Sequence, residues 1–338
     1  MKGIARALAS LPVLALIGWS ALALEYTVPG PWWVARSASL LCVLVAVGAL
    51  IGLRPFRRAV AVALVIFASV LVWFFSLAAS NTGDWQPDVG QLAYGEVEGE
   101  ILTLRNVRNF SYRSETDFTE SWETRRYDLS KLDGLDMFFS HWGSPLIAHT
   151  IMSWQFSDGQ RLAISIETRK VKGQQYSAVE GFFRQYPIYY VAADERDLIG
   201  LRTNFRGENV WLYRLNAPPE NTRLLLLDYV QSMNELVEKP EWYNAFSDNC
   251  TTSIQRHVRH LQPDGPRFGW RLLVNGYLDQ ALYERGRTDT SLPFEELRAI
   301  SNIDARAKAA GQGPDFSERI REGLPDPRAA SRRDDATQ

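Results

Sequence analysis

The chain has 338 residues, a length that allows two or three structural units. Its 37 lysines and arginines nearly balance its 39 aspartates and glutamates, so the charge gives no indication of a nucleic-acid partner. Four scattered histidines and two cysteines do not form the ligand clusters of a metal site, and no glycine-rich phosphate loop is evident. We therefore expect no metal, no cofactor and no nucleic acid.

Three uncharged apolar runs dominate the first quarter of the chain, at residues 7–24, 37–53 and 59–80. Each is close to or above the length that a helix needs to cross roughly 30 Å of hydrocarbon. The first run also resembles a cleavable signal peptide, but two more runs follow directly, which favours its retention. Buried helices of a soluble protein are the alternative, yet such helices normally carry charges along one face. We predict a membrane anchor with three transmembrane helices over residues 1–80.

The positions of the basic residues predict the orientation of this anchor. Lys2 and Arg6 precede the first run, and Arg54, Arg57 and Arg58 fill the loop between the second and the third. Loops rich in lysine and arginine stay in the cytoplasm. The N-terminus is therefore expected inside the cell, and everything after residue 80 outside it.

The rest of the chain predicts a linker, an α+β domain and a tail. Residues 81–99 are rich in Gly, Asp and Pro, which indicates a linker; residues 100–324 mix strand and helix patterns. Residues 149–156 and 161–167 predict a β-hairpin around the turn at 157–160. Further strands are expected at 100–112, 124–128, 188–191 and 210–215, and helices at 223–238 and 294–310. Residues 325–338 have the composition of a disordered tail.

Cys250 is the candidate nucleophile. The other cysteine, Cys42, lies in the second apolar run, so Cys250 has no disulfide partner in a compartment where thiols are normally oxidised. Helix N-cap residue types occupy 247–249, and residues 251–261 continue with near-helical apolar spacing. Unpaired N–H groups and the dipole at a helix start favour a thiolate. The alternative is a buried packing cysteine, and Asp248 opposes ionisation.

A base for this thiol has to come from another part of the fold. His257 lies roughly 10 Å along the helix from Cys250 at 1.5 Å rise per residue, and His260 lies farther still. His149 heads the first strand of the hairpin, and His141 lies in a predicted loop at 140–143. The candidates are therefore His149 and His141, brought in by tertiary folding.

A histidine on a strand followed later by Asn249–Cys250 at a helix start reverses the order of ordinary papain-like enzymes. It resembles the circularly permuted papain-like (NlpC-type) branch that includes lecithin:retinol acyltransferase. More closely, residues 95–325 resemble the Lnb-type periplasmic domain family of bacterial membrane proteins. The matching stretches are 140–143, 148–149, 165–169, 243–252, 294–298 and 316–319.

The resemblance implies a permuted papain-like fold, with an antiparallel sheet packed on helices, and a site. The family is named after a bacterial lipoprotein N-acyltransferase in which a thiol is thought to carry an acyl group. It implies Cys250 as nucleophile and His149 as base, with Glu167 or Ser165 orienting the imidazole. Which of the two faces His149 depends on the length of the hairpin turn. Asn249 and the N–H groups at the helix start are the candidates for stabilising an oxyanion.

The leading hypothesis is a multi-pass protein of the bacterial inner membrane with its C-terminal domain in the periplasm. That domain would be a thiol enzyme acting on acyl groups of lipoprotein or phospholipid through a thioester. Its expected partners are the phospholipid bilayer and a lipoprotein or cell-wall peptide substrate. Two alternatives stay open, a cysteine amidase or peptidase of cell-wall peptides and a non-catalytic periplasmic binding or sensor module. The sequence leaves the acyl donor, the acceptor and the choice between transfer and hydrolysis open.

Overall fold

The structure, a computed structural model, describes residues 2–261 and 275–328, with side chains from residue 10 onward. It divides into two compact units. The first comprises residues 1–82 with the segments 174–187 and 240–245, and the second comprises the remainder. The units correspond to three N-terminal apolar helices and to a mixed domain of sheet and helices.

The three apolar runs form helices, as predicted: α1 (Lys2–Thr27), α2 (Trp32–Gly52) and α3 (Phe56–Ser76). Each contains a stretch long and apolar enough to cross a membrane. Ala46 of α2 and Ala63 of α3 are almost completely buried where the helices meet, because small residues let helix backbones approach closely. Large apolar side chains such as Leu44 and Val65 remain exposed around the bundle.

The segment 174–187 belongs to the helical unit, although the sequence placed it in the exterior domain. It contains the short helix α4 (Ala178–Gly181). The ring of Phe183 stacks on Tyr26 of α1 with 5.4 Å between ring centroids. Arg184 Nη1 donates a hydrogen bond to the carbonyl oxygen of Leu77 at 2.7 Å. These contacts join residues more than a hundred positions apart, which explains why local sequence patterns did not reveal them.

The segment 240–245 makes a second connection of this kind. Trp242 Nε1 donates to the same Leu77 carbonyl oxygen at 2.9 Å, and the backbone of Tyr243 pairs with Tyr186. Residues 246–249 alone separate this segment from Cys250.

The strands of the second unit are β1 (Tyr94–Glu98), β2 (Ile101–Arg108), β3 (Ser111–Tyr112), β4 (Phe118–Thr119), β5 (Trp122–Asp128), β6 (Leu132–His141), β7 (Ala148–Phe156), β8 (Arg161–Thr168), β9 (Ile188–Ala193) and β10 (Asn209–Leu215). Eight of them form one sheet in the order β1-β2-β9-β8-β7-β6-β10, with β5 paired to β2. A two-stranded sheet, β3-β4, lies apart. The pairs are antiparallel except β2 with β9, which run parallel where Arg108 meets Ala193, so the sheet is mixed rather than antiparallel as predicted.

Two of these strands correct the predicted boundaries. β1 lies inside the segment 81–99 that was assigned to a linker, because pairing with β2 satisfies its backbone groups. β6 extends through His141, which was placed in a loop, because β7 and β10 pair with it on both sides. The predicted hairpin of β7 and β8 is confirmed.

Helices cover the two faces of this sheet. The α- and π-helices described in this unit are α5 (Glu195–Gly200), a π-helix (Leu201–Arg206), α6 (Pro219–Glu238), α7 (Cys250–Leu261), α8 (Leu278–Glu284), α9 (Phe294–Ser301), α10 (Asp304–Ala310) and α11 (Phe316–Arg319). Phe138 and Ile151, neighbours on β6 and β7, pack against Ala307 of α10 and Phe316 of α11. On the opposite face, Trp154 packs on Tyr229 of α6 at 5.1 Å between centroids.

The C-terminal part differs from its prediction in two respects. The single helix expected over 294–310 is two helices, α9 and α10, because the chain is extended at Asn302. The tail was predicted to be disordered from residue 325. Arg328 is nevertheless buried against Gly134 and bonds Asp326 at 2.8 Å, which anchors residues 325–328. Residues 329–338, like the loop predicted at 263–266, lie outside the described residues.

Candidate catalytic site

Helix α7 begins at Cys250, so the predicted position of the thiol in the first helical turn is confirmed. Asn249 Oδ1 accepts hydrogen bonds from the backbone N–H groups of Thr251 and Thr252, each at 3.0 Å. Thr252 Oγ1 in turn accepts from the backbone N–H of Asn249 at 2.9 Å. This reciprocal cap occupies two of the helix-start N–H groups that were candidates for stabilising an oxyanion. Asn249 therefore holds the start of the helix, and the backbone N–H of Cys250 itself precedes the capped groups.

Removing this cap is expected to destabilise the helix that carries the thiol. Asn249→Ala should lower the free energy of unfolding by about 1 kcal/mol, because two N–H groups lose their partner. The melting temperature of the purified protein measures this change. Asn249→Ser is the matched variant, because serine also caps helices and should retain most of the stability. Equal melting temperatures for wild type and Asn249→Ala would contradict the role of the cap.

His149 is the second residue of β7 and is buried. Its Nε2 lies 2.6 Å from Ser165 Oγ and 3.1 Å from Glu167 Oε1. Ser165 Oγ donates to the same carboxylate oxygen at 2.7 Å, so it accepts the proton on Nε2. Nδ1 is then the ring nitrogen left for the thiol of Cys250. The structure thus brings His149, Ser165 and Glu167 together in one hydrogen-bonded chain.

Sequence reasoning treated Ser165 and Glu167 as alternatives, and the structure uses both. They are two residues apart on β8 and therefore point to the same face of the sheet. The register pairs Ile151 with Ser165, so His149, two residues before Ile151, lies beside Glu167. The turn length sets the register but does not choose between the two side chains.

The charges of the site favour a thiolate and an imidazolium. Burial opposes ionisation of Glu167, but His149 and Arg202 outweigh it and hold the pKa of this carboxyl well below its usual range. Burial also opposes protonation of His149, yet Glu167 and Cys250 raise its pKa to about 9. Burial raises the pKa of the Cys250 thiol, whereas the charge and hydrogen bond of His149, with help from Thr150, lower it to about 6. At neutral pH these shifts favour the thiolate form of Cys250 over the thiol.

Arg202 is the site residue that sequence reasoning missed. It lies in the π-helix, and its Nη2 donates to Glu167 Oε1 at 2.5 Å. Its Nη1 lies 3.5 Å from Glu208, which also accepts a hydrogen bond from the hydroxyl of Ser140. The guanidinium is buried. It therefore compensates the negative charge of Glu167 at a position where water does not solvate the carboxylate. A charged residue directly after the apolar run 198–201 was the available signal.

The other histidines lie elsewhere. His141 neighbours Ser140 on β6, but its ring packs edge-to-face on Trp211 of β10 at 5.0 Å, on the far side of β6 from β7. Burial lowers the pKa of His141. Nδ1 of His257 lies 2.6 Å from Asp228 of α6, and Nε2 lies 2.7 Å from the Tyr190 hydroxyl, which fixes α7 to its neighbours.

Among the described residues, no group of three or more His, Cys, Asp or Glu side chains is arranged to hold a metal ion. Both cysteines are free thiols.

Comparison with known proteins gives one match. The family model of the Lnb N-terminal periplasmic domain matches residues 118–276, a little under half of the chain. The matched segment contains Cys250, His149, Ser165, Glu167 and Arg202. No curated protein and no solved structure matches the chain significantly. Residues 118–276 thus match the family that the sequence motifs indicated, and this match and the three candidate membrane helices together fit a membrane protein with a periplasmic domain.

Proposed function

We propose that this protein is a thiol enzyme, anchored in the bacterial inner membrane by three helices, that acts on acyl groups at the periplasmic surface. The observation that carries this proposal is the meeting of a helix-start cysteine with a buried histidine. That histidine is held by Ser165 and Glu167. The fold we propose is a circularly permuted papain-like domain, supported by the order of His149 before Cys250.

The first half-reaction forms a thioester. The thiolate of Cys250 attacks the carbonyl carbon of an acyl ester, and a C–S bond forms. The ester C–O bond breaks as the imidazolium of His149 gives its proton to the departing oxygen. The backbone N–H of Cys250, at the positive end of α7, is placed to stabilise the negative oxygen of the intermediate. The products are an alcohol and an acylated Cys250.

The second half-reaction resolves this thioester. An amine or a water molecule attacks the same carbonyl carbon while the neutral His149 takes its proton. The C–S bond then breaks, and the thiolate and imidazolium are restored. Transfer and hydrolysis differ only in the nucleophile, and a lipoprotein amine would make the enzyme an acyltransferase.

Glu167, Ser165 and Arg202 act as positioning residues. Ser165 accepts a hydrogen bond from Nε2 of His149 and donates one to Glu167. The carboxylate therefore helps to fix the orientation of the imidazole through the serine hydroxyl. The negative charge of Glu167 favours the imidazolium, which in turn favours the thiolate. Arg202 keeps that carboxylate ionised despite its burial.

Capture of the thioester tests the proposal. The full-length protein in phospholipid nanodiscs, with the lipid labelled in its acyl chain, should acquire label on Cys250. Neutral hydroxylamine should remove the label, since it cleaves thioesters, and mass spectrometry of the peptide should show the added acyl mass. Release of peptides from purified cell-wall fragments, with no acyl-enzyme, would support the amidase alternative instead.

The membrane topology gives an independent prediction. A periplasm-dependent phosphatase reporter fused after Thr82 should be active, because the basic residues at 54, 57 and 58 keep their loop in the cytoplasm. The same reporter inserted at residue 53 should be inactive and serves as the control. Activity only from a cytoplasm-dependent reporter after Thr82 would refute this orientation.

A further inference from the structure

An apolar cavity of about 160 Å³ lies in the second unit, on the face of the sheet that α7 covers. Its volume is many times that required for one water molecule. Aliphatic side chains from β6, β7, α6, α7 and α8 form most of its walls, among them Met137, Met152, Leu225, Ile254, Leu278 and Leu282. Such a lining suits a hydrocarbon and offers little to a polar ligand.

One wall of the cavity is next to the candidate nucleophile. Thr251 lines the cavity, and its Oγ1 lies 3.8 Å from Cys250 Sγ. Asn275 Nδ2 donates to this Oγ1 at 2.5 Å, and the same side-chain amide bonds the backbone of Ala148. Thr251 is thus a fixed partition between the cavity and the sulfur, with the sulfur within van der Waals reach of it.

The edge of the cavity is basic. Arg285 and Arg287, at the end of α8, both line it, and Arg287 is exposed to solvent. An aliphatic interior with a cationic edge is complementary to an amphiphile with an apolar chain and an anionic head. A polar cell-wall peptide has no such complementarity.

We propose that this cavity binds the acyl chain of an anionic lipid, with the head group against Arg285 and Arg287. This inference rests on the proposed function and assigns the acyl chain of its substrate to a place in the fold. Binding is favourable because the acyl chain makes van der Waals contacts with the side chains of the cavity wall. Because Thr251 forms one wall of the cavity and contacts Cys250, the bound chain lies next to the candidate nucleophile.

Photo-crosslinking tests the cavity without requiring any catalysis. The full-length Cys250→Ala variant, in nanodiscs of phosphatidylglycerol and phosphatidylethanolamine, is irradiated with palmitic acid that carries a diazirine in its chain. Peptide mapping should find crosslinks in the strands and helices that line the cavity, besides those expected in α1–α3. Crosslinks confined to α1–α3 would overturn the proposal.

Two matched pairs of variants sharpen the test. Ala217→Trp, at a half-buried position in the cavity wall, should reduce cavity crosslinks roughly tenfold by filling the space. Leu224→Trp, exposed on α6 outside the cavity, should leave them unchanged. Arg287→Glu should weaken crosslinking, whereas Arg126→Glu, exposed on β5, should not. Melting curves confirm that each variant folds, and equal yields for Ala217→Trp and Leu224→Trp would refute the cavity assignment.

The outcomes separate this inference from the proposed function. Cavity crosslinks in Cys250→Ala, together with no thioester on the wild-type protein, would keep the binding site and refute the enzyme. A thioester on wild type with no cavity crosslinks would keep the enzyme and refute this site.

Discussion

Replacing Cys250 by serine is expected to abolish acyl-enzyme formation and to reduce turnover by roughly 10⁴-fold or more, the scale associated with loss of a covalent nucleophile. A serine hydroxyl is not ionised by an imidazole near neutral pH, whereas the Cys250 thiol has a pKa of about 6. The measurement is acyl labelling of the purified protein in nanodiscs, together with any cellular phenotype of the deletion strain complemented by each variant.

Cys42→Ala is the control for this experiment. Cys42 is the other free cysteine and lies in α2, so its removal tests whether any thiol of the protein suffices. Labelling should be unchanged in this variant. If Cys250→Ser complements the phenotype as well as wild type does, the enzyme proposal is refuted and a binding or sensor module is left.

Neutralising Glu167 is expected to narrow the pH range of activity from both sides. The active pair persists between pH values near 6, below which the thiolate is protonated, and near 9, above which the imidazolium loses its proton. In Glu167→Gln the imidazolium loses its main favourable charge, so the pKa of His149 falls and the alkaline limit moves down. With less positive charge on His149 the pKa of Cys250 rises, and the acid limit moves up. Both limits are apparent values of the coupled pair.

Alkylation by iodoacetamide as a function of pH measures the acid limit, and the rate of acyl-enzyme formation measures both limits. Asp228→Asn is the matched control, because it neutralises the carboxylate that contacts His257 instead of His149. That variant should keep the wild-type pH profile. An unchanged profile in Glu167→Gln, with a thiol still reactive near pH 6, would show that Glu167 does not act through His149.

The same profile separates positioning from simple structural support. Loss of stability in Glu167→Gln would lower the amount of folded protein at every pH without moving the limits. A shift of the limits arises only if Glu167 changes the protonation of the pair. Arg202→Met should instead move both limits up, because the guanidinium charge lowers the pKa of His149 and favours the Cys250 thiolate directly.

Local sequence patterns predicted the parts of this protein that depend on neighbouring residues. Uncharged runs predicted α1–α3, since hydrocarbon admits few charges. Cap residues predicted the start of α7 at Cys250, because capping involves residues only a few positions apart. The alternation at 149–167 predicted the β7–β8 hairpin. The motifs also predicted the family.

Local sequence patterns did not predict the long-range contacts. From the sequence, His149 and His141 were both candidates for the base. The pairing of β6 with β7 and β10 places their rings against different neighbours. Arg202 reaches Glu167 across 35 positions, and segment 174–187 meets helices more than a hundred positions away. No local periodicity encodes contacts between residues so far apart in the sequence. For the same reason, β1 was assigned to a linker and the end of β6 to a loop.

By itself, then, the sequence determined the three apolar helices, the position of the thiol at a helix start and the family that residues 118–276 match, because each depends on composition or short spacing. Tertiary structure alone decided which imidazole lies against the thiol, that Ser165 and Glu167 both lie beside that imidazole, and that Thr251 lines an apolar cavity. Those features depend on sheet register and helix packing, where one residue of slip would turn each side chain to the other face.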